Sequence, residues 1–195
     1  MAAQVYTFKV TYKGCDNKIW RVFEVSSNYD LARLGYMILA SFDTMAYHLF
    51  YIECSGTRYE TVIENYGEYP LLQDAKLSEF NLQIGQHMKM LYDFGCDQVF
   101  DIELVKIADM PKGTGRAYPK IIDGAGRGIV DDMPAFQLLE IINKIDKNGE
   151  SDFIITDEFG KKMIWDYRNY IMIADNYLLK SNIEAIREDY EGYEG

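Results

Sequence analysis

Histidine is nearly absent from this chain: of 195 residues, two are histidines, His48 and His87. Zinc hydrolase chemistry and multi-histidine iron sites need more imidazoles than that, so a metal would have to rest on carboxylates. Cysteine is almost as scarce. Cys15, Cys54 and Cys96 are an odd number with no close pair, which fits neither a disulfide framework nor a zinc knuckle and leaves free thiols as the expectation. Long apolar runs are missing as well: stretches such as Tyr36-Met37-Ile38-Leu39-Ala40 fall far short of the roughly 20 residues that span a bilayer. The opening Met1-Ala2-Ala3-Gln4 has neither the basic nor the apolar region of a signal peptide, so a cytoplasmic protein with no membrane partner is expected. Positive charge is in short supply too. The formal net charge of −11 argues against a protein that coats nucleic acid through its whole surface, because that mode needs Lys and Arg to displace counterions from phosphates.

What the chain does have is enough apolar material, 48% hydrophobic and 14% aromatic, to bury one good core. Its charge is segregated. Residues 105–127 carry a net +3 through Lys106, Lys112, Arg116, Lys120 and Arg127, while residues 181–195 carry a net −4. Solvated loops and a solvated helix face are the ordinary explanation of both.

The pattern of elements is α+β. Tyr6, Phe8, Val10 and Tyr12 alternate with polar neighbours, Gly14-Cys15-Asp16-Asn17 supplies a turn, and residues 19–25 return as a second strand, giving a hairpin. Leu31, Leu34, Ile38 and Phe42 share one face of a helix over about residues 30–42 that should pack across it. Strands are expected at residues 47–54 and, more weakly, 58–62, with a loop over 64–74. Residues 88–94 and 99–105 read as a second hairpin across Gly95-Cys96-Asp97-Gln98. Asp131-Asp132-Met133-Pro134 combines N-capping carboxylates with a proline suited to a first helical turn, and Leu138, Ile141, Ile142 and Ile145 continue as a helix that should stop near Asn148-Gly149. Short strands at 153–155 and 163–165 flank Glu158-Phe159-Gly160. Ser181 to Glu184 has capping-box spacing ahead of a terminal helix with Leu179, Ile183, Ile186 and Tyr190 on one face.

This order, with Trp20-Arg21, Leu31, Leu34, His48-Leu49, Tyr92-Asp93-Phe94-Gly95 and the glycines Gly124, Gly126 and Gly128, resembles the plasmid pRiA4b ORF-3-like family over residues 5–145. The resemblance implies a compact domain related to the β-grasp arrangement, found in bacteria and often on mobile elements, with no established reaction. The expected fold is therefore a β-grasp-like mixed sheet of two hairpins with a packed helix, residues 1–149, plus an acidic, tyrosine-rich extension, residues 150–195. Relatives commonly continue the turn with an aspartate, then a tryptophan and a histidine at alternate places; here those positions hold Cys96, Gln98 and Phe100. The groups best suited to chemistry are gone.

Candidate ligand-binding residues are Tyr92, Asp93, Lys120, Asp123, Gly124, Gly126, Arg127 and Gly128. The glycines offer backbone N–H groups to a phosphate, with Lys120 and Arg127 beside them, although the spacing is neither a P-loop nor a dinucleotide fingerprint and a tight structural loop is the plainer reading. Asp93, Asp97, Asp123, Asp131 and Asp132 would suit Mg²⁺ or Ca²⁺ if they converged, yet aspartates beside glycine ordinarily serve local hydrogen bonds. No metal, cofactor or catalytic residue is expected. His48, in an apolar strand without a partner acid at recognisable spacing, reads as a half-buried structural residue. Cys96 follows a turn but lacks neighbours that would lower its pKa. The expectation is a non-enzymatic module with a protein partner for its acidic extension. The alternative is a nucleic-acid- or nucleotide-binding domain, conceivably a phosphate-directed enzyme, using the Tyr92 turn and the basic glycine loop.

Overall fold

In the computed structural model, which describes residues 3–61, 67–156 and 160–192, seven strands form one sheet: β1 (Gln4–Tyr12), β2 (Trp20–Ser26), β3 (Phe50–Cys54), β4 (Thr57–Glu60), β5 (His87–Tyr92), β6 (Gln98–Asp109) and β7 (Lys120–Ala125). Their order is β4-β3-β5-β6-β1-β2-β7, and every strand pairing is antiparallel. Two further strands, β8 (Ile154–Thr156) and β9 (Lys162–Ile164), pair separately. Helix α1 (Leu31–Ser41) follows the first hairpin, α2 (Ala135–Asn148) follows β7, and α3 (Met172–Glu191) follows β9. The α+β architecture, both hairpins and the packed helices agree with the sequence patterns. Val62, Glu64, Glu158, Phe159, Tyr193 and Glu194, on which some expectations fell, lie outside the described residues.

Period-two alternation sets one face of the sheet against the core. Phe8, Val10 and Tyr12 of β1, Phe23 and Val25 of β2, Met88, Met90 and Tyr92 of β5, and Phe100, Ile102 and Leu104 of β6 are all buried. Register confirms the shared face: Val10 lies opposite Ile102 and Arg21, and Phe8 opposite Leu104 and Phe23. Helix α1 is capped by Asp30, whose carboxylate accepts from the Arg33 backbone N–H at 2.7 Å, and it buries Leu31, Leu34, Ile38 and Leu39. Each such side chain contributes about 1.5–3 kcal/mol of hydrophobic stabilisation.

Arg21 is the exception on this apolar face. It points inward and is fully buried. Its Nε donates to the Ser41 carbonyl at 2.9 Å, and its Nη1 donates to the carbonyls of Trp20 and Ala125 at 2.9 and 2.8 Å. The guanidinium carbon lies 3.9 Å from the Tyr170 ring centroid and 5.0 Å from that of Phe42. Burial pulls its pKa below the ordinary arginine value, with Tyr170, Asp175 and Asp43 acting the other way.

Three expectations are corrected. The segment before Gly124, read as loop, is strand β7 along β2, with Phe23 opposite Ile121 and Arg21 opposite Gly124. Helix α2 begins at Ala135 with Pro134 as its N-cap, so Asp131 and Asp132 lie too far upstream to cap it. It does stop at Gly149, whose φ of 81° is the left-handed conformation that ends helices. Helix α3 starts at Met172, nine residues before the Ser181 capping signal; the Ser181 hydroxyl donates instead to the Leu178 carbonyl within the helix. The expected face of α3, Leu179, Ile183, Ile186 and Tyr190, is buried. α3 packs on α1 through an Arg33–Glu184 ion pair of 2.9 Å and a Tyr36–Glu191 hydrogen bond of 3.2 Å, and on β7 through Asn176, which bonds both backbone groups of Ile121 at 2.8 Å.

Between β7 and α2 the chain is threaded through a narrow space. Gly126 and Gly128 have φ of 77° and 138°, and a Cβ at either would collide with backbone, the Lys18 carbonyl in one case and the Phe42 carbonyl in the other. Gly128→Ala is expected to cost about 2–4 kcal/mol from strain and overpacking together. Arg21→Ala, which leaves three acceptors without a donor and a cavity behind, should cost about 3–5 kcal/mol. Urea denaturation read by the shift in midpoint checks both; an unchanged midpoint for Arg21→Ala would mean the clamp is not structural.

Candidate functional site

The end of β5 and the loop ahead of α2 build a carboxylate-rich site around His48. Tyr92, the last residue of β5, points inward and its hydroxyl donates to Asp131 Oδ1 at 2.6 Å, while Asp131 Oδ2 accepts from the Met45 N–H at 2.9 Å. Burial raises the Tyr92 pKa, and the Asp131 charge raises it further. Burial also raises Asp131, with the Tyr92 hydroxyl, the Met45 N–H and His48 opposing.

Asp93 follows at once and is itself buried. Its Oδ1 accepts from the backbone N–H groups of Gly95 and Cys96 at 3.2 and 3.3 Å, the local turn chemistry expected of it. Its Oδ2 has no hydrogen-bond partner among the described residues and lies 3.5 Å from His48 Nε2. The same nitrogen is 3.0 Å from Asp132 Oδ1. Ligand atoms of His48, Asp93 and Asp132 all fall within 4.8 Å of one another, a spacing that a single metal ion can bridge.

Each member is held by a different device. His48 is not in a strand; it sits in the bend before β3, where its carbonyl accepts a hydrogen bond from the Tyr190 hydroxyl of α3. Asp93 and Asp132 have φ of 51° and 58°, left-handed conformations unusual for residues other than glycine and tolerated best by aspartate and asparagine. The Asp131-Asp132 turn is bracketed by Gln98, whose buried amide donates to the carbonyls of Val130 and Met133, both at 3.0 Å. The Tyr47 hydroxyl donates to Asp132 Oδ2, and its ring lies 4.3 Å from that of His48. Cavities of about 420 and 290 Å³ open on either side of Tyr47, the first lined by His48, Asp189 and Tyr190, the second by Asp131 and Asp132.

Of the sequence-stated candidates, Tyr92 and Asp93 belong to this cluster. Lys120 pairs with Glu24 at 3.0 Å, Arg127 with Asp43 at 3.2 Å, and the Asp123 carboxylate accepts from the Gly124 N–H at 2.8 Å. Gly124 lies against Arg21 and Tyr170, Gly126 against Ile19, and Gly128 against Phe42. Two backbone N–H groups that follow are used within the fold, Arg127 toward the Tyr167 carbonyl at 2.8 Å and Ile129 toward Phe42 at 2.9 Å. It is the continuation of this loop, not the glycines, that reaches the Tyr92 turn. In the sequence His48 reads as structural, and Asp131 and Asp132 read as helix-capping residues that, with Asp93, Asp97 and Asp123, would also suit Mg²⁺ or Ca²⁺ as carboxylate ligands. The signal that could have found the two aspartates is their distance from Ala135, too great for capping. Cys96 is half-buried, and burial, then its hydrogen bond to Asp93, pushes its thiol up to about 11, so it is not a poised nucleophile.

Comparison with known proteins places the chain in a family. A family model described as plasmid pRiA4b ORF-3-like protein matches residues 4–169. No curated protein matches the chain. Among solved structures it is similar to the crystal structure of a protein of unknown function, MM3350, from Methanosarcina mazei Go1. The identity is 26%, the likeness covers 75% of this chain and 84% of that one, and the TM-score is 0.64. With the Tyr-Asp-Phe-Gly turn and the glycine segment both inside the matched span, the chain belongs to the plasmid pRiA4b ORF-3-like family.

Proposed function

We propose that this protein binds a divalent transition-metal ion through His48, Asp93 and Asp132. The observation that carries the reading is Asp93 Oδ2, a buried carboxyl oxygen with no hydrogen-bond partner among the described residues, set beside an imidazole nitrogen. A buried polar atom left unsatisfied is costly, and a metal ion would satisfy it. One imidazole with two carboxylates suits Mn²⁺, Fe²⁺ or Zn²⁺ better than Mg²⁺ or Ca²⁺, which favour oxygen alone. Three protein donors leave positions for water or a ligand, and a metal so bound acts as a Lewis acid and acidifies its water. The Tyr47 hydroxyl on Asp132 and the Gly95 and Cys96 N–H groups on Asp93 are placed to orient the two carboxylates.

A protein-interaction role has separate support in the first turns of α3, where Ile173 and Tyr177 are 80% and 87% exposed and Leu178 lies half exposed. Exposed apolar residues grouped on one surface are typical of contact sites. This reading locates the contact at the start of the helix and not in its acidic end, where Glu184 pairs with Arg33 and Arg187, and Glu191 with Arg187.

Titration of the full chain with Mn²⁺ or Zn²⁺, followed calorimetrically, should show one site per chain. Asp93→Asn, nearly the same size and able to keep the turn, should weaken it about tenfold or more while circular dichroism stays unchanged. Full affinity in a folded Asp93→Asn variant would remove the reading. For the interaction role, Ile173→Asp with Tyr177→Ser in the full chain should abolish specific partners in affinity capture; an unaltered partner set would count against it.

A further inference from the structure

A further cavity, of about 440 Å³, lies between α1, α3 and the short helical turn Gly115–Ala117. Its chemistry is opposite to that of the His48 cluster. Arg33, Arg116 and Lys180 line it against the single carboxylate of Glu184, in a chain whose formal net charge is −11. Tyr29 and Tyr118 contribute two aromatic walls. We propose that this cavity binds a nucleoside phosphate.

Three features support that ligand class. Arg33 holds Glu184 with its Nη2 at 2.9 Å and lies over the Tyr29 ring at 4.7 Å, so its guanidinium is fixed in place at the cavity wall. The fold therefore supplies an oriented guanidinium, and guanidinium forks match phosphate oxygens. Lys180 Nζ donates to the Arg116 carbonyl, which fixes the turn carrying Arg116 at the cavity rim; the Arg116 side chain is in no ion pair among the described residues. Finally, half-buried Tyr118 presents a ring on which a base can stack, and the volume lies within the usual range for small-molecule sites. Cations alone would hold any anion; cations beside aromatic rings select one that carries a flat ring. The site depends on none of the residues assigned to the metal.

The test is fluorescence anisotropy of an N-methylanthraniloyl-labelled ADP with the full chain in EDTA, which keeps the metal site out of the measurement. Saturable binding is expected, displaced by unlabelled AMP or ADP at least about tenfold more effectively than by adenosine, and weakened as salt rises. Arg116→Glu, an exposed reversal that touches no core residue, should weaken binding at least about tenfold, and Tyr118→Ala should do so without altering the fold. A 5′-phosphorylated single-stranded oligonucleotide tests the other source of the same chemistry; displacement stronger than by ADP would move the assignment from free nucleotides to nucleic-acid ends and overturn it as stated. No binding up to about 1 mM, equal displacement by adenosine, or undiminished binding by Arg116→Glu would also overturn it.

Discussion

A guanidinium buried with no carboxylate partner among the described residues governs how this chain is assembled. Removing a cation from water is expensive, and in Arg21 that expense is offset, among the described residues, by carbonyl oxygens at Nε and Nη1 and by ring faces. One of those carbonyls belongs to Ser41, the last residue of α1, where the helix leaves acceptors unsatisfied and its dipole is negative. Another belongs to Ala125, the last residue of β7. The same side chain thereby ties the ends of two elements to β2, and Tyr170, just ahead of α3, closes over it. None of these segments can shift without exposing or stranding the charge.

From that clamp the placement of the His48 cluster follows by short steps. With β7 fixed beside β2, the chain must leave through the gap where Gly126 and Gly128 meet Ile19 and Phe42. Ile129 then bonds the Phe42 carbonyl, Gln98 holds Val130 and Met133, and the intervening aspartates face Tyr92, Tyr47 and His48. Asp131 and Asp132 are thus delivered from a connection that begins at one edge of the sheet to the end of β5, three strands away from β7's neighbour β2.

Much of the scaffold is written in local pattern, and the cluster is not. The alternation in residues 6–12, 88–94 and 99–105, the spacing of Leu31, Leu34 and Ile38, and Gly149 as a helix stop each depend on neighbours in the chain, so they read correctly. β7 was obscured because Gly124 and the glycines just after the strand look like a loop when the partner strand is unknown. Arg21 was legible in principle, since Ile19, Phe23 and Val25 share its parity, but alternation rules treat an inward arginine as noise. His48, Asp93 and Asp132 are separated by dozens of residues, and no spacing announces their meeting. Asp93 was picked out from its turn, whereas His48 was placed in a strand it only precedes.

The hydrogen bond from Tyr190 to the His48 carbonyl joins residues 142 positions apart. A loop of that span closes late and is slow to form, because the entropy of bringing its ends together is lost before the contact is gained. During synthesis residues 48, 93 and 132 leave the ribosome before Tyr190 does, so the bend that carries the imidazole is without this anchor until α3 has emerged. A single phenolic hydroxyl in the last turns of α3 consequently holds the bend that carries the imidazole from far along the chain.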